Sequence, residues 1–341
     1  MNSHERVMTA MRLGQPDRVP IVEWVIHPKV RRAICPGPDL SFVEVAECLG
    51  LDNLDCGVTF QRIDETEDGW IDEWGVRYVH GAEVLDHPVE GPIHTFEDLR
   101  SYQPPDPDAP HRLGALPELA RRYKGERALI LRHRAAFMWS AFLMGLDNLL
   151  MAFAAEPRLA MAVMDMVVEV NERIARNAVR AGAAIVVLAD DYAANWGPMF
   201  SPEHFRQLVQ PRLRRMVDAI HEEGGLVIKH SDGNLWPILD QIVDTGVDAL
   251  NPIEPVANMD IAKVKAAYGD RLCLVGNIDC GHLLCHGTPR EVEAAVRRCI
   301  ADAGEGGGFM LASSNSIHSS VDPANYVAMV EAGHRWGKYE Q

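Results

Sequence analysis

Three short stretches concentrate side chains able to do chemistry. Asp190-Asp191 closes one apolar run, His230-Ser231-Asp232 closes another, and Glu254 stands just before Pro255. Carboxylates mixed with imidazole hold a divalent cation or work as an acid/base pair. His230, Asp232 and Glu254 are the expected metal ligands, with Asp191, Asp279 or His318 as a further ligand, and Asp191 is also an expected catalytic carboxylate. The competing reading is structural: Asp232 caps the turn before Leu235, and His230 only hydrogen-bonds a neighbouring strand. Arg132 and Arg134 flank His133, and they suit a substrate carboxylate or phenolate, or else pair with the acids. Trp139, beside Phe137 and Met138, lines an aromatic pocket or fills the core. Asn277, Asp279 and His318 complete the expected substrate contacts, with His318 placed to swing over the rim.

These residues share a position in the pattern. Continuous apolar runs alternate with helical stretches: 183–191, 226–234, 247–255, 271–280 and 307–315 read as buried parallel strands, each followed by a helix. Upstream, 18–26 reads as the first strand and 128–134 as another. Ser201-Pro202-Glu203 is a helix start and Gly224-Gly225 its stop. The repeat predicts a (β/α)8 barrel occupying residues 1–341 as one domain. An antiparallel insertion is expected over about 60–110, where 69–91 alternates differently and prolines follow. In such a barrel the chemistry gathers at the C-terminal ends of the strands, where the acids, the histidine and the arginines fall. The EGGGF stretch (305–309) precedes a strand instead of opening a helix, so it is not a phosphate cradle.

Composition narrows the class. With 49 acidic against 33 basic residues and a net charge of -16, the surface repels phosphate backbones and anionic lipid. Nucleic acid and membranes are therefore excluded as expected partners. The N-terminal stretch lacks an apolar core with a cleavage site, and no apolar run approaches a membrane span, so a cytoplasmic enzyme is expected. The seven cysteines form no CxxC pair and read as reduced thiols; Cys280, Cys285 and His282 are taken as structural, not as a zinc site.

Several blocks in order resemble one superfamily: ERVMTAMRLGQPDRVPI, FSPEHFRQLVQPRLRRMVDAIHEEGGLVIKHSDGN, VDALNPIEP with GDRLCLVGNID, and GGFMLASSNSI. The chain is identified as a member of the uroporphyrinogen decarboxylase and corrinoid methyltransferase superfamily. The resemblance implies the barrel fold and, commonly, a homodimer. It does not by itself choose a reaction. The decarboxylases carry an arginine-rich MRQAGR loop and an FSDI-like segment, where this chain reads VEWVIHPKVRRAICPG and LDNLDCGVTF. Arg31 and Arg32 there read as a solvated helix face. The thiol-activating methyltransferases carry HxC…C, where this chain has His230-Ser231-Asp232 and Ser313-Ser314-Asn315. What remains is the branch that demethylates a small donor, such as an aryl methyl ether or a methylated amine, onto the cobalt of a partner corrinoid protein. Zinc held by carboxylate and imidazole is more electrophilic than a thiolate site and suits that task. A decarboxylase-like lyase using Arg132 or Arg134 as a carboxylate clamp is the second expectation, and a non-catalytic ligand-binding barrel the third.

Overall fold

The computed structural model describes residues 1–35, 37, 40–81 and 86–339. In chain order the strands are β1 Asn53–Gly57, β2 Arg62–Thr66, β3 Gly69–Asp72, β4 Arg77–Val79, β5 His87–Glu90, β6 Ala128–His133 and β7 Ile185–Ala189. There follow β8 Ala193–Ala194, β9 Gly197–Pro198, β10 Leu226–His230, β11 Ala249–Asn251, β12 Cys273–Ile278 and β13 Phe309–Ser313. Seven of them make one parallel sheet in the order β1-β6-β7-β10-β11-β12-β13, and β2 to β5 form a separate four-stranded antiparallel sheet. The expected insertion is therefore present as β2–β5, although residues 82–85 within it lie outside the described residues.

Alternation along the parallel strands divides the core in two. Ala128, Ile130, Ile185, Val187, Ile228, Ala249, Cys273, Val275, Met310 and Ala312 pack with one another and with Val7 and Met11 of helix Ser3–Met11. Their neighbours one residue along, such as Leu129, Val186, Val227, Leu250, Leu274 and Phe309, pack outward in the larger cluster that holds the helices. The first set fills the inside of a curled sheet, floored by the N-terminal helix. Each Val, Ile or Met side chain in this set contributes about 1.5–3 kcal/mol of burial. Continuing the inward parity to the strand ends brings Asp55, Arg132, Ala189, His230 and Asn251 to one rim.

Residues 18–26 do not form the regular first strand read from the sequence. Pro20 has no N–H to give to a ladder, and side chains replace the missing backbone partners. On one side, Leu311 N donates to Pro20 O (2.9 Å) and Val22 N to Leu311 O (2.9 Å). On the other, Asp52 N donates to Ile21 O (2.8 Å), Ile21 N to Asp52 Oδ2 (2.8 Å) and Glu23 N to Asn53 Oδ1 (3.1 Å). The segment thus links the two edge strands, β13 and β1. Strand β1 itself was not legible, because Asp52, Asn53 and Asp55 interrupt its apolar pattern; they are the residues that tie in the 18–26 segment and Arg132.

The helix opening at Ser201 is broken into Pro202–His204, a π-helical turn Phe205–Val209 and Gln210–Glu222. Ser201 Oγ caps it by accepting from His204 N (3.1 Å). Pro211 explains the wide turn, since it offers no N–H and its ring crowds the carbonyl one turn back. One cysteine expectation is corrected: Cys35 and Cys48 are joined as a disulfide, with 6.5 Å between Cα atoms. They pair because helix Pro28–Ile34 and helix Phe42–Leu49 bring them together, a proximity that spacing alone does not reveal. The other five cysteines are free. Among the described residues no single helix is long and apolar enough to cross a membrane.

Candidate active site

His230 ends β10 between Ala189 of β7 and Asn251 of β11. Its Nδ1 lies 2.6 Å from Asn251 Oδ1, and the Asn251 amide is oriented by donating to Val275 O (3.1 Å). An amide oxygen only accepts, so Nδ1 carries a proton and Nε2 is the ring nitrogen left for a further partner. Nε2 faces Asp232 Oδ1 at 3.6 Å and Asp191 Oδ1 at 3.7 Å. One ligand atom from each of Asp191, His230 and Asp232 fits within 4.8 Å of the others.

The carboxylates are held from behind. Asp191 accepts from Asp232 N (3.0 Å), and Asp232 Oδ2 accepts from Asn315 Nδ2 (2.6 Å). Asp232 Oδ1 is buried and has no hydrogen-bond partner among the described residues. Burial pushes Asp232 up to about 6, opposed by His230 and reinforced by the negative charges of Asp191 and Glu254. Burial acts on Asp191 in the same sense, yet His230, the Asp232 N–H, Lys229 and Arg134 outweigh it and hold that carboxyl below its usual value. An imidazole nitrogen and the oxygens of two carboxylates, one of them orphaned, converging on one point form a set that could hold a divalent cation.

Neighbouring residues explain the rigidity. Lys229 is fully buried behind His230; its Nζ donates to the carbonyl oxygens of Asp190 (2.6 Å), Leu188 (3.3 Å) and His230. Burial draws this ammonium down to about 8, against the pull of Asp190 and Asp191. Asp190 accepts from Ala135 N (3.2 Å) and Phe137 N (2.8 Å), so it caps the loop after β6. Gly233, at φ +87, has room for no Cβ, which would sit 2.4 Å from Ala193 O; the turn after Asp232 depends on it.

The other expected site residues divide by location. Glu254 stands outside the group of three, with Oε2 accepting from Gly233 N (2.8 Å), one shell behind Asp232. Arg132, Arg134 and Trp139 line a cavity of about 610 Å³ between the ends of β1, β6 and β7 and the antiparallel sheet. Asn277 and Asp279 are directed elsewhere, lining an outer groove beside helix Pro289–Ala303. Asn277 donates to Ile253 O (3.0 Å) and accepts from Cys299 Sγ (3.3 Å). Asp279 caps the turn that follows it, accepting from Gly281 N (2.9 Å), His282 N (3.2 Å) and Leu283 N (3.2 Å). His318 Nε2 lies 3.8 Å from Cys285 Sγ, away from the triad. Phe137 belongs to the core with Phe153, Tyr192 and Phe200.

Asn251, Asn315 and Glu23 read from the sequence as strand-end residues of the mouth, with no specific role assigned to any of them. Glu23 is 1% exposed; Trp24 N donates to its Oε1 (3.2 Å) and its Oε2 has no hydrogen-bond partner among the described residues. Burial, with Asp55 adding to it, pushes this carboxyl from 4.5 up to about 8 against hydrogen bonds from Ser313 and Trp24. Between those two values the native chain keeps a proton that the unfolded chain has released, so stability falls as pH rises through that window. Glu23→Gln is expected to abolish this part of the decline, a difference of a few kcal/mol between denaturation curves at either end of the window. Parallel wild-type and variant curves at both ends would contradict it.

Comparison with known proteins agrees with this architecture. The family model for uroporphyrinogen decarboxylase (URO-D) matches residues 76–336, and the chain belongs to that family. It is 25% identical over 322 residues to a uroporphyrinogen decarboxylase of Mannheimia succiniciproducens, covering 90% of this chain and 86% of that one. A uroporphyrinogen decarboxylase of Psychromonas ingrahamii is 24% identical over 360 residues, covering 97% and 96%. Among solved structures, a methyltransferase from Methanosarcina mazei superposes with a TM-score of 0.80, covering 98% of this chain and 99% of that one at 20% identity. It shares the fold.

Proposed function

We infer that this chain is an enzyme that moves a methyl group from a small methylated donor to the cobalt of a corrinoid on a separate protein. The reading takes residues 1–341 as one (β/α)8 domain whose eighth strand is the irregular 18–26 segment. The observation that carries it is the Asp191, His230, Asp232 set: a ligand group of oxygen and nitrogen, with no thiolate, at the rim of the sheet. Zinc held there would supply Lewis acidity toward the leaving heteroatom of the donor.

The chain's own residues do the rest. Asn251 fixes the His230 tautomer, Asn315 and Gly233 fix Asp232, and Glu254 braces the Gly233 turn. Arg132, Arg134 and Trp139 would hold the donor in the adjoining cavity. Asn251→Ala is expected to weaken zinc binding by about 10- to 100-fold, the usual cost of losing a residue that orients a ligand. Competition against a chromophoric chelator reads this directly, and an unchanged affinity would count against the assigned tautomer.

A second reading has one specific support, the name of the curated relatives: decarboxylation of a carboxylated substrate, with an arginine clamp. Isotope separates the two. Label in the methyl group of donors should pass to the corrinoid fraction, whereas carbon dioxide released from labelled carboxylates, with no methylated corrinoid, would favour the decarboxylase.

A further inference from the structure

We propose that the Cys35–Cys48 disulfide is a thiol-exchange site, opened at Cys48 by a small thiol, and that its state sets how firmly Asp232 is held. The two sulfurs differ in access: Cys35 is 3% exposed, whereas Cys48 lies open to solvent. An incoming thiolate therefore meets the Cys48 sulfur, and Cys35 is the leaving group. A new bond forms from the incoming sulfur to Cys48 Sγ as the bond to Cys35 breaks. Cys35 departs with the electron pair and takes up a proton. With a dithiol, the second thiol closes on the first sulfur of the reagent and frees Cys48; the reagent is oxidised to a cyclic disulfide as both cysteines are reduced.

The bridge ties a thinly anchored helix to a firmly anchored one. Helix Phe42–Leu49 buries Val45 and Ala46. Tyr123 Oη donates to its Glu47 Oε1 (3.2 Å), and His334 Nε2 lies 2.9 Å from its Leu49 O. Helix Pro28–Ile34 buries only Val30 of its seven side chains. A groove of about 540 Å³ separates its Ala33 and Ile34 from Pro323, Ala324 and Val327 of the closing helix. A helix this short does not hold itself by propensity, so the covalent tie at its C-terminal cap, Cys35, is a principal restraint.

From that helix a short run of hydrogen bonds leads to the triad. Lys29 Nζ donates to Ser319 O (3.0 Å), His27 N to Ile317 O (2.7 Å) and Ile317 N to Val25 O (2.9 Å). Two residues before Ile317, Asn315 Nδ2 donates to Asp232 Oδ2 (2.6 Å). Opening the bridge frees the helix, takes the backing from residues 315–319 and leaves the Asn315 amide less well placed. The effect on metal affinity rests on the metal-site reading; the exchange site does not.

The full chain is treated with excess mercaptoethanol, trapped with iodoacetamide and mapped by peptide mass spectrometry. The mercaptoethanol adduct should sit on Cys48 and the alkyl group on Cys35. An adduct on Cys35 with alkylated Cys48, or a bridge that opens only in denaturant, would overturn the exchange site. Hydrogen exchange is then compared among the oxidised chain, the dithiol-reduced chain and Cys35→Ser/Cys48→Ser. The amides of His27 and Ile317 should exchange about 10-fold or more faster without the bridge, and reoxidation of the wild type should reverse this. The amides of Val187 in β7 and Ile228 in β10 should not change. Zinc affinity of Cys35→Ser/Cys48→Ser should fall about 10-fold, as when a residue orienting a ligand is lost. Unchanged exchange, or faster exchange with unchanged zinc affinity, would overturn the coupling to Asp232. A wild-type chain that binds no zinc would overturn the metal-site reading instead, and the adduct map and exchange rates would still decide the switch.

Discussion

His230→Ala is expected to strip the chain of its metal and to lower methyl transfer by about 10³-fold or more, the several kcal/mol that a Lewis acid supplies to charge developing on the leaving atom. The imidazole is the sole neutral ligand of the group, and its Nε2 is the point toward which both carboxylates turn. Without it, Asp191 and Asp232 are left as two facing negative charges, one of them already pushed up by burial. Elemental analysis should fall from about one zinc per chain to a trace, with circular dichroism unchanged because His230 is the last residue of β10 and the strand's pairing runs through its backbone. Full zinc occupancy in the variant would sink the assignment. Asp232→Asn should lose metal as well, since Asn315 already occupies the second Asp232 oxygen.

The largest effect on stability is expected far from the rim, at Asp52. This carboxylate is wholly buried and receives Arg6 Nη1 (2.7 Å), Arg18 Nη1 (2.8 Å), Arg18 Nη2 (3.0 Å), Ser3 Oγ (3.0 Å) and Ile21 N (2.8 Å). It ties the floor helix, the 18–26 segment and the entry to β1 into one knot. Asp52→Ala would leave Arg6 and Arg18, 9% and 16% exposed, around an empty acceptor position. The expected loss is about 3–5 kcal/mol, the usual cost of removing one partner of a buried ion pair. Chemical denaturation reads it, and a loss below about 1 kcal/mol would mean that the pair behaves like an exposed one. Asp52→Asn should fall between, keeping the Ile21 contact while losing the charge.

How much of this was legible in the residues differs by element. Strands β7, β10, β12 and β13 each open on at least three consecutive apolar residues and are bounded by turns, so their places and inward ends could be read; the strand-end positions of Asp191, His230 and Asp232 followed from that. β1 and the 18–26 segment could not be read as a pair, because their pairing runs through the side chains of Asp52 and Asn53. Glu254 shows the limit of strand-end reasoning. It follows β11 by three residues, but its carboxylate turns to the Gly233 N–H, which depends on the tertiary course of the loop after the neighbouring strand β10. Asn277 and Asp279 fail for a related reason: a capped turn and an outer groove claim side chains that parity alone would send to the rim.

The central claim, methyl transfer at a metal bound by Asp191, His230 and Asp232, is tested most directly in a single turnover. The purified zinc-loaded chain is mixed with a reduced corrinoid protein and para-methoxybenzoate, and the corrinoid absorbance is followed. The account predicts conversion of the reduced cobalt spectrum to that of methylated corrinoid, with stoichiometric release of the demethylated phenol and no conversion with His230→Ala. An unchanged corrinoid spectrum with the wild-type chain across methyl ether donors, or equal conversion by wild type and His230→Ala, would contradict it.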